Sequence, residues 1–153
     1  MDINKENLSN ILMDELLETI STMTGIYLSQ ETPYEEEKED EIAGAMILAG
    51  SKPALLVIST RKASAATLLA YMTGIDLSDQ SDNDQYDVMA EIVNMVAGKI
   101  KAVFVESEYS FILSSPFTIF GANIQLVTKS SIEKYIQIAR IDEIYLKLGL
   151  YYV

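Results

Sequence analysis

Residues 84–105 carry the pattern that most restricts what this chain can fold into. At about 100° per residue, Val88, Met89, Ile92, Val93, Val96, Ile100 and Val103 fall on one broad face. Asp87, Glu91, Asn94, Gly98 and Lys101 fall on the opposite face. A run of this length with one apolar face is satisfied as a helix laid against a core. The carboxylate of Glu91 and the amide of Asn94 then project together, one turn apart, away from that core. Gly98 continues the same line, where glycine costs a helix roughly 1 kcal/mol against alanine. One use for it is to let another surface approach closely. Polar helix faces are also ordinary solvated surface, and the spacing Asp87-x3-Glu91-x2-Asn94 alone does not separate the two readings.

The rest of the chain supplies what this helix packs against. Residues 5–24 repeat the helical spacing through Leu8, Ile11, Leu12, Leu16, Ile20 and Met23, and Gly25 is a stop. Residues 29–41 are polar and include Glu35-Glu36-Glu37-Lys38-Glu39-Asp40-Glu41, which reads as a solvated loop. Two strand-like runs, 42–49 and 54–59, flank Gly50-Ser51-Lys52-Pro53, which has hairpin chemistry. Residues 64–72 read as a short helix ending near Gly74, and the Asp, Ser and Asn of residues 76–84 cap the long helix that follows. Further β-like runs span 111–120, 123–128, 135–141 and 144–153. The expected fold is of α/β (α+β) type: a largely antiparallel sheet of about six strands, two long helices and a short one. At 153 residues the whole chain, 1–153, is expected to be one domain.

Composition narrows the chemistry. The chain has no cysteine and no histidine. That excludes thiol chemistry, histidine phosphotransfer on this chain, Ser-His-Asp hydrolysis and the usual His/Cys zinc sites. Any reaction must run on carboxylates, amides, hydroxyls or lysines, or on something a partner brings. The net charge of −12 repels phosphate backbones and anionic lipid, so no nucleic-acid and no membrane partner is expected. The start, Met1-Asp2-Ile3-Asn4-Lys5-Glu6, lacks the pattern of a signal peptide, and no apolar run approaches membrane-spanning length. A cytoplasmic location is expected.

The sequence also echoes itself. Asp14-x3-Glu18-x2-Ser21-x3-Gly25 has the spacing of Asp87-x3-Glu91-x2-Asn94-x3-Gly98, and Gly44-Ala45-Met46-Ile47 echoes Gly121-Ala122-Asn123-Ile124. Two halves, each a long helix followed by strands, would make the long helices equivalent under a pseudo-twofold internal repeat.

The segment Asp87-Val88-Met89-Ala90-Glu91-Ile92-Val93-Asn94-Met95-Val96-Ala97-Gly98 resembles the signature of the CheC, CheX and FliY phosphatases. In that family an Asp or Ser precedes the Glu by four positions, and the Asn follows it by three. Pro116 stands about where the family carries a proline. One complete motif beside the degenerate Asp14-Glu18-Ser21 is most similar to CheX. The resemblance implies a phosphatase acting on the phospho-aspartate of a CheY-like receiver domain, with Asn94 orienting the attacking water and Glu91 clamping a receiver lysine. It also implies that Asp87, Gly98 and Lys101 meet the partner. No metal site or cofactor is expected on this chain, and Mg²⁺ is expected in the receiver. The alternatives are a non-catalytic module of the same fold that binds a receiver or a flagellar component, and a structural protein that self-associates. A homodimer is expected on two grounds. Family resemblance is one. The other is the run 144–153, which reads as an exposed edge strand guarded only by Lys147 and in need of a partner. A strand from the middle of the second half is the other candidate for that contact.

Overall fold

The computed structural model describes residues 3–32 and 39–153. Its first helix, α1 (Lys5–Thr24), opens on Asn4, whose side chain accepts from the amides of Glu6 and Asn7 while Asn7 reaches back to the Asn4 amide. This reciprocal cap satisfies donors that a helix start leaves unpaired. Gly25, at φ 75°, closes the helix in the left-handed conformation that glycine adopts without penalty.

A short strand, β1 (Ser29–Glu31), follows α1. After the residues outside the description come β2 (Ile42–Gly50) and β3 (Ala54–Thr60), joined by the expected hairpin. Helix α2 (Lys62–Thr73) ends at Gly74, also left-handed at φ 76°. A 3₁₀ turn at Leu77–Asp79 leads into α3 (Asp82–Phe104). The chain finishes with β4 (Phe111–Leu113), β5 (Phe117–Phe120), β6 (Lys134–Ile141) and β7 (Ile144–Tyr152).

The strands form one antiparallel sheet of order β1-β6-β7-β3-β2, with both β4 and β5 pairing along the outer side of β2. Exchanging β1 with β4–β5, β2 with β6 and β3 with β7 turns this order into its own reverse. The helices cover one face. Ile42, Met46 and Leu48 of β2, Leu56 and Ile58 of β3, and Leu148 and Leu150 of β7 point beneath them and are buried. Leu8, Leu12, Leu16 and Ile20 of α1 and the apolar side of α3 close this core.

The largely antiparallel sheet is as expected, with seven strands among the described residues where about six were expected. Several details need correction. Residues 29–31 are not solvated loop but pair with β6, and Asp40 is buried. Residues 33–38 of that acidic stretch, also read as solvated loop, lie outside the described residues. The run 111–120 is two strands. Register places Leu113 opposite Leu48 and Phe117 opposite Ala45, so three residues on one strand face two on the other. This bulge holds Pro116 at the sheet edge, where a missing N–H costs no ladder bond. Ser114 fills the gap by accepting from the Ile47 amide at 2.9 Å. Residues 123–128 form no strand, and Asn123 takes φ 54°. Gly121 follows β5 whereas Gly44 lies inside β2, so that part of the internal echo joins positions that do not correspond. Finally, β7 is not an edge. It pairs with β3 on one side and β6 on the other, so its hydrogen bonds are already taken.

Candidate functional site

The capping loop fixes where α3 starts. Ser81 Oγ accepts from the Asp84 amide at 3.2 Å, and the Asp84 carboxylate accepts from the Ser81 amide at 2.9 Å. Asp82 and Asp84 occupy the first turn, where the helix dipole favours acid. Asp87 lies beyond that turn, so its position is not explained by the helix end. From the cap the helix runs unbroken to Phe104. Val88, Met89, Ile92, Val93, Val96, Ala97, Ile100 and Phe104 are buried, while Val103 is only half-buried.

On the other side Asp87, Glu91 and Lys101 are exposed, and Asn94 and Gly98 are half-buried. The polar line expected from the sequence therefore stands on the outer face of α3. Among the described residues, neither Glu91 nor Asn94 spends its side chain on an intramolecular hydrogen bond or ion pair. Gly98 leaves open space: a Cβ built there would meet nothing within 4 Å. Packing inside the chain does not demand this glycine.

What packing does demand is Gly44. A Cβ there would stand 2.2 Å from the backbone oxygen of Met89 and 2.8 Å from its carbonyl carbon. The main chain of α3 thus rests on β2 two residues before Glu91, which sets the height of Glu91 and Asn94 above the sheet.

The related positions on α1 are different. Asp14 and Glu18 are exposed and Ser21 is half-buried. Glu18 is bound to Lys99 of α3 at 3.1 Å, and Ser21 Oγ donates to the Glu18 carbonyl at 3.0 Å. This carboxylate already has a cation. Lys99, one residue past Gly98, therefore belongs to the α1–α3 contact.

Beside Glu91 lies a groove of about 300 Å³ between α2 and α3. Leu69, Met72, Ile75 and Val88 supply its apolar surface, and Asp84, Asp87 and Glu91 its acidic rim. Reading α3 by itself missed this groove. The signal was the apolar side chains on either side of the Gly74 stop, which a single-helix wheel does not relate to α3.

Chemically, the face offers an amide that can donate and accept and a carboxylate that accepts. Among the described residues, no group of three or more metal-ligating side chains is arranged to hold a metal ion. No helix among them is long and apolar enough to cross a membrane.

The family model described as "Chemotaxis phosphatase CheX" matches residues 42–139, which include all of α3. The chain belongs to the CheX family. No curated protein matches it in sequence. Solved structures share the fold of this CheX-family chain over nearly its full length. A CheC-like superfamily protein from Shewanella sp. PV-4 superposes with a TM-score of 0.84 at 19% identity, covering 99% of both chains. The chemotaxis protein CheX from Vibrio vulnificus gives 0.82 at 19% identity, covering 94% of this chain and 95% of its own. A chain from the CheX–CheY–BeF3–Mg²⁺ complex of Borrelia burgdorferi gives 0.78 at 17% identity, covering 94% and 96%.

Proposed function

We propose that this chain hydrolyses the aspartyl phosphate of a CheY-like receiver, using Asn94 and Glu91 of α3. The carrying observation is that a CheX-family helix presents these two side chains outward without partners among the described residues. The fold relation to a CheX bound to CheY with BeF3 and Mg²⁺ supports the choice of partner.

The reaction asks little covalent chemistry of the protein. Water oxygen bonds to phosphorus as the phosphorus–oxygen bond to the receiver aspartate breaks. The aspartate leaves as carboxylate, and the water's protons end on inorganic phosphate and solvent. What accelerates such a transfer is positioning and charge stabilisation. The Asn94 carboxamide accepts from the water through its oxygen and donates to a phosphoryl oxygen through its nitrogen, holding the water in line. Glu91 pairs with a receiver lysine and aligns the two proteins. Asp87, Gly98 and Lys101 border the contact. The Mg²⁺ is the receiver's, so the reaction asks no metal ligand of this chain.

Phosphate release from phosphorylated receivers tests the reading. Asn94→Ala should fold normally, within about 0.5 kcal/mol of wild type as expected for a change outside the core. Its turnover should fall by about a hundredfold or more, with receiver affinity retained. Full turnover in this variant would remove Asn94 from the chemistry, and no turnover by the wild type on any receiver would leave a binding module.

A further inference from the structure

We propose that the groove between α2 and α3 receives an apolar side chain of the receiver flanked by a basic group, and so selects which receiver is served. This rests on the reading of α3 above and adds a second point of contact to it. The groove reaches Glu91 at one wall, so whatever fills it lies beside the phosphatase residues rather than at a separate place.

The occupant's chemistry follows from the lining. Leu69, Met72, Ile75 and Val88 give an apolar surface suited to an aliphatic or aromatic side chain. Asp84, Asp87 and Glu91 rim it, and among the described residues no lysine or arginine lines it. Asp84 is committed to the Ser81 cap, which leaves Asp87 and Glu91 facing the partner. An apolar anchor beneath a polar rim is the arrangement in which interface energy concentrates. Two carboxylates on one side ask for Lys or Arg on the other.

The walls are also built before any partner arrives. Gly74 ends α2 and turns the chain sharply. The Ile75 amide donates to Thr73 Oγ1 at 3.2 Å, and Thr73 Oγ1 donates to the Leu69 carbonyl at 2.8 Å. Gln80 Nε2 donates to the carbonyls of Ala66 at 2.8 Å and Ile75 at 3.3 Å, tying the return loop to α2. A braced groove loses little entropy on filling. An occupied groove also fixes the receiver's rotation about Asn94, which a single Glu91–lysine pair would leave free.

The test fills the groove and reverses its rim. Thr73→Trp places a ring at the exposed lip, and Asp87→Lys inverts a rim charge; circular dichroism and thermal melting establish that each variant folds. Phosphate release gives KM and kcat, and titration with BeF3–Mg²⁺-loaded receiver gives Kd. Both variants should raise KM and Kd by about tenfold or more, the effect of losing one interface anchor, and for Thr73→Trp kcat at saturation should stay within about twofold. Asn94→Ala should show the opposite split. Unchanged KM and Kd in both groove variants would overturn the proposal. Should wild type bind the loaded receiver without hydrolysing the phosphorylated form, weakened binding by Thr73→Trp would uphold the groove and remove the phosphatase reading alone. If wild type binds no receiver, both fall. If Thr73→Trp instead changes the oligomeric mass and leaves receiver affinity intact, the groove serves self-association and the proposal fails.

Discussion

Asp40 belongs to the most acidic stretch of the chain, yet it is 2% exposed. It accepts from Ser59 Oγ at 2.8 Å and Tyr145 Oη at 2.5 Å, and pairs with Lys147 Nζ at 3.1 Å. Burial, and then the hydrogen bond to Asp40, hold the Tyr145 hydroxyl protonated well above its ordinary range. Removing the carboxylate strands a buried hydroxyl and a cation. Asp40→Ala should therefore lose about 3 kcal/mol in urea unfolding, and a loss under about 1 kcal/mol would mean that water replaces the carboxylate. Glu15 shows the reverse situation. Burial chiefly, then the nearby Glu18 and Asp14 charges, raise its pKa above the ordinary 4.5, with Lys99 opposing. A carboxyl that binds its proton more tightly when folded favours folding at low pH, and that contribution is lost as pH rises through the raised value. At pH 7 its charge is thus a burden on the fold. Glu15→Gln should be more stable than wild type at pH 7, and the gain should shrink on acidification and vanish below about pH 4. A gain independent of pH in denaturation curves would contradict this origin.

The elements differ in how far their own sequence determines them. The bounds of α1 and the outward line of α3 were legible because a long apolar period, a cap and a glycine stop agree along a continuous segment. β1 was not, because its three residues earn their strand by pairing with Arg140, Ala139 and Ile138, over a hundred positions away. The residues of β7 were legible as a strand but not as an interior one, since alternation says which faces a strand has and not which neighbours it takes. The same limit applies to the site. Glu91 and Asn94 share one helix face and could be read together, whereas the groove beside them needs a second helix. Within α3, Gly98 is the element's weak point, tolerating a methyl group on steric grounds. Gly98→Ala should stabilise the protein by about 0.5–1 kcal/mol. It should also weaken receiver binding if the open space admits the partner. Higher melting temperature with unchanged Kd would show that the glycine has no part in recognition.

For the whole molecule, the position of β7 inside the sheet leaves the expected homodimer contact to the other candidate, a strand from the middle of the second half. In that part of the chain β4 and β5 run along the outer side of β2, with Ile112 71%, Phe117 42% and Ile119 40% exposed. An apolar edge of this kind is a liability unless it is covered. A second copy joined there would keep both α3 site faces outside the contact. Light scattering at micromolar concentration should give twice the 17.0 kDa chain mass, and Ile119→Asp should return it to the mass of one chain; a wild-type monomer would refute the arrangement. The contact between Gly44 and the Met89 carbonyl has a different kind of consequence. Because α3 meets β2 main chain on main chain at this point, a side chain added at residue 44 would lift it off the sheet. If the proposed groove holds the receiver, the molecule joins a fixed fixture to an adjustable jaw, and changes at Met72 and Ile75 should shift which client it takes without moving α3.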